Sequence, residues 1–264
     1  MIKVSENPKE EDPSGYSVAS SVSLISLLIS TISLDGSIRK ILNWGMSHTP
    51  AFICFANVHM LVEAQKDEVF RAQVNKASLV LPDGKPIVQA IRGLYSIKLE
   101  RKAGMDYLPF LLREVEEKKA RIFLYGSSTE IQNAMIKRIQ IEYPDVQMVG
   151  NISPPFVKSS PSEIEEHISQ IKSSGANFVL VSLGCPKQEK WMADNSDKIP
   201  AVLLGLGGAF GVFAGVRRRA PLWMQKSSLE WLYRLIQEPR RMFARYLYTN
   251  TLFLFLLAKK IIRR

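Results

Sequence analysis

Asp83 closes the run Ser78-Leu-Val-Leu-Pro-Asp-Gly-Lys-Pro. A carboxylate beside Gly84, just ahead of a helix, suits either of two jobs: general base, or N-cap of that helix. Asn57 ends another apolar run, where its amide fits a sugar hydroxyl or an ordinary turn. Gly184-Cys-Pro-Lys-Gln-Glu-Lys-Trp191 places Lys187, Gln188 and Glu189 in one first helical turn behind Pro186. That directional polar set suits a uracil, a ribose or a phosphate. Gly205-Leu-Gly-Gly-Ala-Phe-Gly211 brings Gly207 and Gly208 to a further strand end. Phe210 breaks the Gly-x-Gly-x-x-Gly spacing and no acid-terminated strand follows, so nicotinamide binding is not expected.

Some chemistries lack their residues. His48, His59 and His167 have no ligand-like spacing, Cys54 and Cys185 are far apart, and no Asp-x-Asp pair occurs. No metal and no cofactor is expected. If a diphosphate leaves here, its charge must be met by Arg, Lys and backbone dipoles. The C-terminal tail supplies Arg217, Arg218, Arg219, Arg234, Arg240, Arg241 and Arg245.

The elements that position these residues alternate. Strands are expected over Ala51–Ala56, Ser78–Leu81, Ala120–Tyr125, Val146–Val149, Asn177–Leu183 and Ala201–Leu206. Helices are expected over Gly36–Trp44, Lys85–Gly93, Met105–Glu117, Thr129–Glu142, Pro161–Ser173 and Lys187–Asp194. Such alternation predicts parallel strands with helical crossovers, an α/β sheet. Asn57, Asp83-Gly84, Gly126-Ser127-Ser128, Gly184 and Gly207-Gly208 all follow strands. Open α/β sheets bind ligands beyond the carboxyl ends of their strands. Gly admits a ligand close to the backbone, and helix N-termini offer N–H groups to phosphate. The coincidence points to a phosphate-bearing ligand.

The chain has 264 residues, 46% hydrophobic and 23% charged, with 15 Gly, 14 Pro and two Cys. That supports a sizeable core and excludes collagen-like, disordered and disulfide-framework classes. The net charge of +10 is localised: residues 216–264 hold 12 Lys and Arg against Glu230 and Glu238, leaving 23 of each sign before them. A basic tail seeks anionic lipid, nucleic acid or phosphate-bearing substrates. Tyr16–Leu34 is uncharged for 19 residues, but seven are Ser and the preceding segment is acidic. A buried strand and connecting loop is expected there rather than a membrane span. Thr251–Ala258 is strongly apolar, too short to span, and followed by Lys259 and Lys260. That reads as a surface-lying, peripheral element.

The expected organisation is a disordered arm over 1–15, an α/β domain over 16–215 and a basic amphipathic helical appendage over 216–264. In the appendage, Leu229, Leu232, Tyr233 and Ile236 recur at helical spacing behind Ser227 or Ser228 as a cap, and Pro239 ends that helix. A second helix from Arg240 offers Phe243, Tyr246, Leu247 and Leu254 as an apolar face.

Taken in order, Asn57-Val-His-Met, Asp83-Gly, Arg101-x-x-Gly104-x-Asp106, Gly184-x-Pro-Lys-Gln-Glu189, Gly207-Gly-Ala-Phe210, Arg219-Ala-Pro-x-Trp223 and Leu229-Glu-Trp-Leu-Tyr-Arg-Leu-Ile-Gln-Glu-Pro-Arg-Arg241 form a set. It resembles the WecG/TagA/CpsF glycosyltransferases from about Ile29 to Tyr246. The resemblance implies a Rossmann-like, mainly parallel sheet flanked by helices, of the kind called GT-E, with a membrane-meeting C-terminal appendage. It implies inverting, metal-independent transfer from a UDP-sugar to a polyprenyl-diphosphate-linked sugar at the cytoplasmic face of the inner membrane. Asp83 matches the family's proposed base. Asn57 and Gln188 are expected around the donor, with Arg101, Gly184, Lys187, Glu189, Gly207, Gly208 and Arg219 also at the substrates. Arg234, Arg240 and Arg241 are expected to help hold the diphosphate.

Two positions depart from the family pattern: Phe55 stands where Thr is common, and Gly211 where Asp is common. These leave open altered sugar specificity, or a non-catalytic membrane-surface component of a polysaccharide-assembly complex. The expected partners are a UDP-sugar, a polyprenyl-diphosphate-linked acceptor and an anionic membrane surface, with a homo-oligomer open. Nucleic acid is not expected, because the tail is rich in apolar residues and carries no recognised motif.

Overall fold

The computed structural model describes residues 20–155, 160–227 and 229–263, without the side chains of Lys226 and Arg241. The expected arm over 1–15 lies outside them. Chain order begins with β1 (Ser21–Leu24), β2 (Leu27–Ser30), α1 (Leu34–Met46), β3 (Ala51–Ala56), α2 (Val58–Lys66), α3 (Glu68–Asn75) and β4 (Leu79–Pro82). It continues through α4 (Lys85–Tyr95), α5 (Gly104–Glu117), β5 (Arg121–Gly126), α6 (Thr129–Glu142), β6 (Gln147–Ile152), α7 (Pro161–Ser173) and β7 (Phe178–Ser182). The last elements are α8 (Lys187–Asn195), β8 (Val202–Gly205), α9 (Ala209–Phe213), α10 (Leu222–Lys226), α11 (Glu230–Gln237) and α12 (Pro239–Ile262).

Six strands form one parallel sheet in the order β4-β3-β8-β7-β5-β6, as the alternating pattern predicts. Continuous apolar runs suit strands covered on both faces. Successive residues of one strand serve opposite layers: Phe52, Cys54 and Ala56 join one core, while Ala51, Ile53 and Phe55 join the other. The first layer is completed by α2, α3, α4, α7 and α8, the second by α1, α5, α6 and α9.

Around Tyr16–Leu34 the described residues make two strands, where one strand and a loop were expected. β1 and β2 pair antiparallel, with Ile25 turning at φ 56°. The hairpin lies beside β4, where Ser30 Oγ accepts from the Val80 N–H at 3.0 Å. Two helices between β3 and β4 were also unexpected. α2 starts on Asn57 and α3 on Asp67, each side chain accepting a backbone N–H of its helix.

The tail folds back over the sheet. Pro239, expected to end α11, is instead the first residue of α12, and α11 has Leu229 at its N-cap position with no side-chain cap; Ser228 lies outside the described residues. Over 24 residues, about 36 Å at the usual rise, α12 runs along α2. It buries Met242, Thr249 and Phe253, and leaves Phe243, Leu247 and Leu254 exposed. Lys66 sits over the Tyr248 ring at 4.2 Å, and Lys260 Nζ donates to Ser23 O at 2.7 Å. Among the described residues, no helix is long and apolar enough to cross a membrane.

Candidate active site

A cleft of about 480 Å³ opens at the carboxyl ends of β3, β4, β5, β7 and β8, with residues of α11 and α12 on its other wall. Asn57, Asp83, Gly184, Gln188, Glu189, Gly207, Gly208, Arg219 and Arg234 all line it. The expected site residues converge because a parallel sheet gathers its loops along one edge.

Asp83 follows β4, its N–H donating to Ala56 O at 2.7 Å. The position capping α4 is Gly84, at φ 133°, and no side chain caps that helix. Of the two roles open to Asp83, the cap is therefore unused. Burial pushes its carboxyl up to about 6. Arg234 and Arg101 pull it down, while Glu230 and Asp106 add to the rise. A carboxyl in that range is ionised at neutral pH and still basic enough to accept a proton.

Asn57 lines the cleft and caps α2 rather than forming an ordinary turn. Oδ1 accepts from the Met60 N–H at 3.1 Å, so it anchors α2, and its NH₂ is the group left for a ligand. The polar quartet before Trp191 separates. Lys187, expected at the substrates, is exposed and stands outside the cleft lining. A helical turn points successive residues in different directions, and only Gln188 and Glu189 turn inward. Both are buried, and Gln188 Nε2 donates to Glu189 Oε1 at 2.9 Å. Burial also raises the Glu189 carboxyl.

The glycines at the end of β8 make room for protein groups as well. A Cβ on Gly205 would stand 2.6 Å from Gln188 Nε2 and 2.7 Å from Met192 Cε. Gly205 is thus the space that the Gln188 carboxamide occupies. Gly207 turns at φ 50° and leads through Gly208 into α9.

Arg101, expected at the substrates, stands outside the cleft lining. Its Nη2 bonds Asp106 Oδ2 at 2.7 Å and its Nη1 pairs with Glu230. Arg219 pairs with Asp106 and lies 3.5 Å from Glu230 Oε1. Arg240 is exposed and also outside the lining, because it sits on the outer face of the first turn of α12. The side chain of Arg241 lies outside the described part. In their place Arg217, Arg218 and Arg245 reach the cleft, with Tyr233 and Glu230. Glu230 carried a signal in the sequence as one of only two acids in the tail.

Phe55 and Gly211 both touch the cleft. Phe55 is 4% exposed and meets Tyr107 edge to face at 5.2 Å, so it belongs as much to the core as to the pocket. A Cβ on Gly211 would come within 2.9 Å of Arg217 Cδ. The Arg217 stem therefore fills space that an acidic side chain there would need.

The profile of the glycosyl transferase WecG/TagA/CpsF family matches residues 22–264. The chain is 35% identical over 192 residues to the N-acetylglucosaminyldiphosphoundecaprenol N-acetyl-beta-D-mannosaminyltransferase of Bacillus subtilis (strain 168), covering 72% of this chain and 73% of that one. It is 34% identical to the protein of the same description from Bacillus spizizenii, over the same shares. With the profile spanning both the sheet and the helices that roof its cleft, the chain belongs to the WecG/TagA/CpsF family of glycosyltransferases.

Proposed function

We propose that this glycosyltransferase moves a sugar from a UDP-sugar to a polyprenyl-diphosphate-linked sugar, with inversion and without a metal, for a cell-surface or exopolysaccharide. The observation that carries the reading is Asp83: a carboxyl raised to about 6, in a cleft that also receives arginines from the tail. The Bacillus relatives, whose names specify an N-acetylglucosaminyl-diphosphoundecaprenol and an N-acetylmannosaminyl group, support the acceptor class and an N-acetylhexosamine as donor sugar.

In this reading the acceptor hydroxyl gives its proton to Asp83 as its oxygen attacks the anomeric carbon. The bond from that carbon to the diphosphate breaks, and UDP leaves with the electron pair from the opposite face. Asn57, through its NH₂, and Gln188 orient the donor. Arg218 and Arg234 stand against the charge that develops on the diphosphate. The exposed Trp223, Phe243, Leu247 and Leu254, with Arg240 and Lys259 on the same helices or the segments that join them, support peripheral docking on an anionic surface where the lipid-linked acceptor resides. We place that surface at the cytoplasmic face of the inner membrane.

The test is UDP release from a panel of UDP-sugars including glucose, N-acetylmannosamine and its uronic acid, on membranes with lipid-linked acceptors, with and without EDTA. EDTA-insensitive release with one donor is expected. Phe55, in place of the hydroxyl residue common in the family, motivates a second reading as a non-catalytic partner. Vesicle binding without release from any donor would favour it.

A further inference from the structure

The cleft has two walls from distant parts of the chain, and four charged side chains join them. Asp106 sits in the first turn of α5, under the sheet-bound wall, and Glu230 opens α11, in the roof. Between them lie Arg101, from the loop before α5, and Arg219, from the loop before α10. Arg101 contacts both acids and so does Arg219, which closes a ring. Its members are only 17–34% exposed, which separates them from solvated surface pairs. The ring is also tied to the base. Lys102 N–H donates to Pro82 O at 2.7 Å, fastening the loop that carries Arg101 to the residue before Asp83.

We propose that Asp106 and Glu230 are positioning residues: they hold Arg101 and Arg219 in a ring that docks the roof onto the cleft and sets the charge surrounding Asp83. Two acids and two guanidinium groups cancel within the ring, so Arg234 brings positive charge to the cleft in addition to it. Asp83 faces Arg101, Asp106, Glu230 and Arg234 from three different segments, so a change in any one alters its proton affinity. Arg101 thus acts through the ring rather than by touching substrate. The part concerning Asp83 rests on its proposed role as base.

The experiment uses full-length Glu230→Gln and Asp106→Asn, which keep shape and remove charge, with Glu230→Asp as the conservative control. Hydrogen exchange should show protection of α11 and the first turns of α12 falling at least tenfold in both variants, with β3 and β8 unchanged. Asp106→Asn combined with Arg219→Gln should lose no more protection than either change alone, because both break one ring. The acid limb of the pH profile for UDP release should move to lower pH, since each variant removes a negative charge facing Asp83. Glu230→Asp should recover most of both properties. Wild-type protection in both variants would overturn the docking role, and an unmoved acid limb would overturn the electrostatic one. Hydrogen exchange needs no turnover, so a wild-type protein inert toward every donor would count against the proposed function while the protection data still decide the ring.

Discussion

The sheet and the C-terminal helices solve different problems with different residues. Residues before 216 carry balanced charge and bury their strands on both faces in two continuous cores. The tail carries the whole net charge of +10, and of its long helix only a narrow seam is buried. Yet the cleft needs both: the sheet brings Asp83, Asn57 and Gln188, and the tail brings guanidinium groups. In the proposed mechanism the sheet fixes the carboxyl that takes up a proton, while the roof supplies positive charge. Electrostatic help of that kind tolerates small displacements better than proton transfer does.

The comparison predicts a graded set of losses. Asp83→Asn should have the largest effect, lowering turnover by about 10²–10⁴-fold with donor affinity kept, measured by UDP release and equilibrium binding. Retained turnover would break the division, because the scaffold would then hold no base. On the roof, Arg234→Gln should cost about 10²-fold in turnover. It should also move the acid limb of the pH profile upward, since Arg234 is the first of the charges holding the Asp83 carboxyl down. In the wild type that limb should fall as pH drops through about 6. Leu247→Ser, outside the cleft, should weaken binding to anionic vesicles by roughly tenfold, the scale of one exposed leucine losing its burial. Turnover on a short-chain, water-soluble acceptor should not change.

A further effect is on stability, and its sign opposes that on activity. The Asp83 carboxyl sits near 6 when folded against an ordinary 3.8, so the folded chain binds this proton more tightly. Its contribution is favourable at pH 4 and is lost as pH rises through 6. Asp83→Asn should therefore raise the melting temperature at pH 8 and leave it nearly unchanged at pH 4. The gain is bounded by ~3 kcal/mol and reduced by water in the cleft. A fall at pH 8 would mean that Asp83 stabilises the fold rather than serving it.

Much of the sheet was legible, because apolar runs ending in Gly, Asp or Asn mark parallel strands and the loops beyond them. Ala51–Ala56, Thr129–Glu142 and Pro161–Ser173 were located to the residue. α2 and α3 were not, since Asn57 and Asp67 announce helices in the same letters that announce a turn. The hairpin was hidden by serines, whose hydroxyls find partners far along the chain, as Ser26 does by donating to Leu61 O. At the site, residue type and strand end brought Asp83 and Gln188 to the cleft lining. They failed for Arg101, whose partner Glu230 is 129 positions away, and for Lys187, whose direction depends on one turn of helix phase. Spacing carries local geometry well, and long-range pairing poorly.

The bond from Lys260 to Ser23 O joins positions 237 apart. At usual rates of synthesis, roughly 10–50 s separate their emergence from the ribosome. Through that interval the hairpin waits without its last donor and α2 without the helix that covers it. The roof of the cleft is absent as well. Whatever shields those surfaces in the growing chain must leave before α12 packs against them, so the cleft is completed only after Met242, Arg245 and Tyr246 have followed the sheet.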